Sequence, residues 1–337
     1  MIKDHMEEYT NTDNRTQCTP RLVLVVPCYN EEEIIAKTAQ VMAEKLRRLA
    51  AESVISADSR ILFVNDGSKD DTAKILHDLS DKDDIFAVLS LTGNCGHQNA
   101  ILAGMMFVKD KTDIAVTIDA DLQQDIEALD DFIAKYKEGC EVVYGVRNDR
   151  SSDGAMKKMT ASLYYSLMHG LGSHVIKNHA DYRLVSAKAL NALSGYSEVN
   201  LFLRGLIPTM GFSSDIVYFD VKEREAGKSK YTLAKMLTLA MDGITSFSTR
   251  PLHLIGATGF VAVFLGIVMC IIVLIDWASG KNVPGYTTLL IVMLAATGTI
   301  LLSLGVIGEY IAKIYMETKR RPLYIIDSVV WQEEERK

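Results

Sequence analysis

A secretion signal is missing from the start of the chain. The first 20 residues are polar and charged with no apolar core, so Met1 to Arg250 is expected to stay in the cytosol. Cysteine pairs are missing as well: Cys18, Cys28, Cys95, Cys140 and Cys270 include no Cys-x-x-Cys, and neither a zinc site nor a disulfide framework is indicated. Basic residues are in deficit. With 36 Lys and Arg against 43 Asp and Glu the net charge is −7, which leaves no basic face to attract phosphate and argues against a nucleic-acid partner. Tryptophan is confined to Trp277 and Trp331.

Apolar residues are plentiful, and they come late. Hydrophobic content of 48% and a mean hydropathy of +0.11 are high for a wholly soluble enzyme. Leu252 to Ile275 runs 24 residues without Asp, Glu, Lys or Arg, and Tyr286 to Gly308 runs 23. At about 1.5 Å per residue each can cross a hydrocarbon core of about 30 Å, so the pair is expected to form a transmembrane hairpin. Lys228, Lys230, Lys235 and Arg250 precede it, Lys313, Lys319, Arg320 and Arg321 follow it, and the connector Asp276 to Gly285 holds only Lys281. By the positive-inside rule both termini face the cytoplasm. Gly256 and Gly259 in the first run allow close helix contacts and thus a homo-oligomer.

Just before the hairpin, Leu233, Met236, Leu237, Ala240, Met241, Ile244 and Phe247 recur at helical spacing. That stripe reads as an amphipathic helix lying in the membrane interface. The adjoining segment Arg224 to Lys230 carries cations suited to an anionic substrate or to acidic headgroups. Tyr324 to Val330 fits either a short strand or a second interfacial contact.

The first half of the chain repeats one punctuation. Leu22 to Val26, Ile61 to Val64 and Ile114 to Ile118 are short apolar runs, the first Val-rich and the last β-branched, and each hands over to a polar turn. Helical patterns at Ile34 to Leu49 and Thr72 to Leu79 follow the first two, the pattern of an α/β fold with a parallel sheet. The turns carry Glu31, Asp66 and the pair Asp119 and Asp121, all at the strand ends where open α/β sheets bind ligands. Residues two apart in an extended segment share a face, so Asp119 and Asp121 can reach one hard divalent cation, which in turn can hold a diphosphate.

In order and spacing, Val26-Pro27-Cys28-Tyr29-Asn30-Glu31, Val64-Asn65-Asp66-Gly67-Ser68, Asp119-Ala120-Asp121-Leu122-Gln123, Ala180-Asp181-Tyr182-Arg183-Leu184, Phe202-Leu203-Arg204-Gly205, Arg224 through Tyr231 and Ile244-Thr245-Ser246-Phe247 with two following apolar runs resemble one family. It is the inverting family-two glycosyltransferases of GT-A fold, and within them the polyprenyl-phosphate glycosyltransferases similar to dolichol-phosphate-mannose synthase and the bacterial GtrB type. The likeness runs from Arg21 to Pro322. It implies a polar tail at 1–20, a Rossmann-like GT-A domain at 21–230, an interfacial helix at 231–250, a two-helix hairpin at 251–312 and a cytoplasmic tail at 313–337, in a multi-pass protein of the plasma membrane. Where the family usually has Asp-Pro-Pro after the metal triplet, this chain has Gln124-Asp125-Ile126.

Residue by residue, the resemblance implies that Pro27, Tyr29, Glu31 and Asp66 line the nucleotide pocket, with Asp66 on the base or ribose. Asp119 and Asp121 would hold Mg²⁺ or Mn²⁺ on the donor diphosphate, and Gln123 would meet the phosphate region. Arg224, Ser229 and Lys230 look like the family's phosphate clamp, and Arg147 and Arg183 like acceptor-phosphate contacts. Asp181 stands where sugar-acceptor relatives have a base, but a carboxylate there would repel an incoming phosphate, so its expected task is to orient Arg183 or the sugar. His97, in the polar loop Gly93 to Asn99, reads as structural.

The implied reaction moves a hexose, glucose or N-acetylglucosamine, from a UDP-sugar to undecaprenyl phosphate for decoration of the cell envelope, and Asn178-His179-Ala180-Asp181 leans toward the second sugar. Besides a tethered transferase that uses a soluble acceptor, two other readings stay open. A processive polysaccharide synthase would need a Gln-x-x-Arg-Trp signature, but neither tryptophan follows an arginine. A non-catalytic membrane protein that binds nucleotide sugars is the other.

Overall fold

The computed structural model describes residues 15–16, 18–148, 179–196, 198, 203–221, 250–279 and 285–332. Arg224, Ser229, Lys230 and the amphipathic segment 231–249 lie outside them. The chain divides into two compact units, one built on residues 1–165, 174–231 and 322–337, the other on 166–173 and 232–321.

In the first unit β1 (Leu22–Cys28) is buried along its whole length, as a strand covered on both faces must be. It leads to α1 (Ile35–Ala51), whose Ile35, Ala39, Met42, Leu46 and Leu49 form one buried stripe. The pattern repeats through β2 (Arg60–Asn65), α2 (Thr72–Ser80), β3 (Phe86–Leu91), α3 (His97–Val108) and β4 (Ile114–Thr117). A short 3₁₀ turn (Ile126–Ala128), α4 (Leu129–Lys137), β5 (Val142–Arg147), β6 (His179–Ser186), α5 (Ala187–Leu193), α6 (Leu203–Thr209) and β7 (Ser214–Phe219) follow. The strands and helices expected in the first 80 residues lie within a few residues of their forecast bounds.

The strands make one mixed eight-stranded sheet in the order β7-β5-β6-β4-β1-β2-β3-β8, where β8 is Ile326–Val330. Strands β1 to β4 are parallel to one another, β6 is antiparallel to β4 and β5, and β8 is antiparallel to β3. Of the two readings open for Tyr324 to Val330, the strand is the one formed, and this part of the expected C-terminal tail returns to the sheet. Since β1 has β2 on one side and β4 on the other, the order reverses at β1, and the loops leaving β1 and β4 open a crevice at their carboxyl ends.

Helix α3 packs on the face of β1 and β2 opposite α1, and Gly104 sets how closely. A Cβ there would lie 2.4 Å from Val25 Cγ1 and 2.8 Å from Val64 Cγ2. The missing side chain lets α3 settle on the strands, which brings its first residues, His97 and Gln98, over the crevice.

The second unit contains α7 (Arg250–Ala278) and α8 (Tyr286–Lys319). Among the described residues one helix is long and apolar enough to cross a membrane, with the qualifying stretch Ala296–Lys319 at a mean hydropathy of 1.4. The apolar part of α7, Ile255–Met269, is shorter. Helix α8 ends at Arg320, whose left-handed backbone breaks the helical ladder.

Candidate active site

Side-chain to backbone bonds zip together the loops that leave β1 and β2. Asn30 N donates to Ser68 Oγ at 3.1 Å, Lys69 N to Asn30 Oδ1 at 2.8 Å and Glu31 N to Thr72 Oγ1 at 2.9 Å. Gly67 has φ +66°, and a Cβ there would stand 2.6 Å from the backbone of Gly93, so the β2 loop can rest on the β3 loop only through glycine. Between them Asp66 is buried: its Oδ1 accepts from Cys95 N at 2.7 Å and its Oδ2 from Gly96 N at 3.0 Å. Burial and the neighbouring Asp66 push the Cys95 thiol up to about 12, so it stays protonated.

At the end of β4 the acidic pair is held by its own loop. Asp119 N donates to Gln124 Oε1 at 3.0 Å, and Gln124 Nε2 donates back to Asp119 Oδ2 at 2.5 Å. Gln124 is itself buried, and Asp125 caps the following 3₁₀ turn. The residues that replace Asp-Pro-Pro thus shape the turn with side-chain bonds rather than with ring constraints. Leu122 takes φ +55°, and Gln123 N donates to Asp121 Oδ1 at 3.1 Å. The Asp119 carboxyl sits above the usual carboxylate range, raised first by burial and then by Asp181 and Asp121 against the opposing pull of His97.

Asp181, only 4% exposed, is the hub of the crevice. Arg204 donates to it twice, Nε to Oδ1 at 3.0 Å and Nη2 to Oδ2 at 2.7 Å. Gln98 Nε2 donates to Oδ2 at 3.1 Å, and Arg183 Nη2 also bonds Oδ1. His97 Nε2 stands 3.4 Å from Asp119 Oδ1 and 3.6 Å from Asp181 Oδ2, and thereby links the two carboxylates. Burial alone would raise Asp181, yet Arg204, His97 and Arg183 hold it well below the ordinary range. Burial alone would lower His97, and the same two carboxylates raise it.

Pro27 is buried at the end of β1, Tyr29 is exposed at the crevice rim, and Glu31 and Gln123 are half-buried. Asp66, Asp119, Asp121 and Asp181 all stand at strand ends or on β6. Arg183, by contrast, has no exposed surface, so in this conformation it braces Asp181 rather than offering itself to an outside phosphate. Its Nε and Nη1, like both ring nitrogens of His179, find no partner among the described residues. Arg147 is half-buried at the end of β5, and Tyr144 is the strand-register partner of Arg183. The residues the sequence reading gave no role are Arg204, Gln98 and Gln124. Arg204 lay within a quoted motif, and the signal for it was the need of a buried Asp181 for a counter-charge.

No group of three or more His, Cys, Asp or Glu suited to a metal occurs among the described residues. Two carboxylates, Asp119 and Asp121, still fit a hard cation that keeps several waters and substrate oxygens as its other ligands. Burial first, and the neighbouring Asp181 and Asp121 after it, raise the Asp119 carboxyl, and a cation bound there would favour its ionised form.

Residues 23–193 match the family model described as glycosyl transferase family 2. An uncharacterised glycosyltransferase of Bacillus subtilis, YkoT, is 46% identical over 318 residues, 94% of each chain. A prophage bactoprenol glucosyl transferase homolog of Escherichia coli is 37% identical over 311 residues, 92% of this chain and 99% of its own. The bactoprenol glucosyl transferase of Shigella phage SfX is also 37% identical, over 91% of this chain. Among solved structures, glucosyl-3-phosphoglycerate synthase from Mycobacterium tuberculosis with Mn²⁺, UDP-glucose and phosphoglyceric acid is 15% identical with a TM-score of 0.43, covering 68% of this chain and 79% of that one.

Proposed function

Because the chain belongs to glycosyl transferase family 2, we propose that it moves glucose from UDP-glucose to the phosphate of a polyprenyl lipid, undecaprenyl phosphate, with inversion at the anomeric carbon. The observation that carries this reading is likeness to bactoprenol glucosyl transferases over more than nine-tenths of the chain. Those relatives favour glucose over the N-acetylglucosamine toward which residues 178–181 lean.

The geometry supports a division of labour. A lipid monophosphate has its second pKa near 6, so at neutral pH its oxygen is already an anion and needs positioning more than deprotonation. Asp181 suits that: held ionised by Arg183 and Arg204, it is a poor base and a good anchor. Its work is to aim Arg204, the half-exposed arginine of the cluster, toward the phosphates. Asp119 and Asp121 would hold Mg²⁺ or Mn²⁺, which when bound supplies charge neutralisation of the departing nucleoside diphosphate. Arg224 and Lys230, with Ser229, would close on the same phosphates, and Pro27, Tyr29, Glu31, Asp66 and Gln123 would line the donor site. Arg147 would serve the acceptor phosphate from the carboxyl end of β5.

The division at 21–230, 231–250, 251–312 and 313–337, with the interfacial helix, both hairpin helices crossing the plasma membrane and both ends in the cytoplasm, belongs to the same proposal. Exposed apolar side chains along α7 and α8, among them Phe260 and Leu302, support a lipid surround. The deciding assay incubates purified protein with undecaprenyl phosphate, Mg²⁺ or Mn²⁺ and a panel of sugar nucleotides, and reads the mass of the lipid product. The expected product is undecaprenyl phosphate plus one glucose. A long polymer would favour a processive synthase, and donor binding without any product would favour a non-catalytic binder.

A further inference from the structure

A cavity of about 550 Å³ opens at the carboxyl ends of β2 and β3. Its walls include Tyr29, Gly67 and Asn94 from the β1, β2 and β3 loops, together with Asp327 and Ser328 from β8. The size suits a small ligand, and the position is where an open α/β sheet receives one. Its far wall comes from the end of the chain, more than 230 residues after β3.

That wall is firmly held. Thr92 N donates to Ile325 O at 3.0 Å, and Ser328 pairs with Ser90 and Val329 with Leu89. Beyond the strand, Trp331 meets Phe107 edge-on at 5.5 Å, with the Arg60 guanidinium 5.5 Å from its ring centre. The register slips between Ser90 and Leu91, so the ladder passes from Ser328 to Ile326 and leaves Asp327 without a partner on β3. Such a bulge turns one side chain out of the ladder, here at the cavity rim.

We propose that Asp327 and Ser328 of β8 read the base of the nucleotide donor and thereby help to choose uridine. This rests on the donor reading above. Tyr29, exposed at the rim, offers a flat apolar surface on which a base can stack. A carboxylate only accepts hydrogen bonds, so one that faces N3 favours the N3–H of uracil over the N3 lone pair of cytosine, whose only donor on that edge is the N4 amino group. The Ser328 hydroxyl can donate to a uracil carbonyl.

The test measures UDP and CDP binding by calorimetry in Mn²⁺ to full-length wild type, Asp327→Asn and Ser328→Ala. Both side chains are exposed, and an unchanged Tm certifies the fold. Wild type should prefer UDP. Asp327→Asn should reduce the UDP-over-CDP preference about tenfold, the scale of one hydrogen bond to a charged group, and Ser328→Ala should weaken UDP by a smaller factor. An unchanged preference in both variants, with wild type still transferring glucose from UDP-glucose, overturns the role of β8 alone. If wild type binds no nucleoside diphosphate, the donor reading falls together with it.

Discussion

Arg204 lies along the Asp181 carboxylate with both oxygens engaged, Nε at 3.0 Å and Nη2 at 2.7 Å. Two separate elements, β6 and α6, are joined by that fork, and the Arg204 side chain remains 38% exposed against 4% for Asp181. Fork-to-fork contact fixes a guanidinium in one plane, which suits it to present a cation to phosphate.

Asp181→Asn should therefore cost about 3–5 kcal/mol of stability, the scale for leaving one half of a buried ion pair uncompensated. The Asp181 carboxyl is depressed in the folded state, so its contribution is present above the ordinary carboxylate value and is lost only as pH falls through the lower folded value. Urea unfolding should show a gap between variant and wild type that is flat from about pH 5 to 8. A gap that closes near pH 6 would refute the assignment.

Asp119 has the opposite sign. Its carboxyl is raised by burial and by neighbouring carboxylates, so stability from it is present at low pH and lost as pH rises through the folded value. At neutral pH, Asp119→Asn should melt above wild type without divalent ions. Mn²⁺ should raise the Tm of wild type but not of the variant, and turnover should fall on the order of 100-fold. An equal Tm response to Mn²⁺ in both proteins would count against the metal pair.

Gly104→Ala places a methyl group 2.4 Å from Val25 Cγ1. Helix α3 must lift, at about 1–3 kcal/mol of overpacking, and His97 and Gln98 lift with it. We expect a lower Tm together with a drop in kcat. Loss of stability at unchanged kcat would mean that the helix start is not held by this contact.

For the cation segment, Lys230→Ala should lower kcat strongly and change KM for UDP-glucose by a smaller factor. Charge on the leaving oxygen grows during bond cleavage, so a cation aimed there stabilises the transition state beyond the ground state. Steady-state kinetics decides: a raised KM at unchanged kcat makes the segment a binding element only.

Topology is checked in intact cells, in a background without native cysteines. A membrane-impermeant thiol reagent should label Ser279→Cys and spare Ser152→Cys. The reverse pattern overturns the orientation.

What the sequence determined by itself was the part carried by local pattern. Buried parallel strands are apolar along most of their length and turn polar at their ends, so the runs Leu22 to Val26 and Ile61 to Val64 and the acidic pair Asp119 and Asp121 were legible in local pattern, within strands that span Leu22–Cys28 and Arg60–Asn65. The family was legible too, in motif order and spacing. The tertiary structure decided whatever depends on contacts between distant segments. The turn at Gln124 is shaped by a side chain that reaches back to Asp119, Arg183 is withdrawn into the interior by its bond to Asp181, and Arg204 takes the outward position from a helix 23 residues away. Strand β8 needed the sheet most of all: Ile326–Val330 is a few apolar residues of ambiguous pattern until β3 offers an open edge, because a strand's hydrogen bonds are satisfied only by a partner that local sequence does not contain.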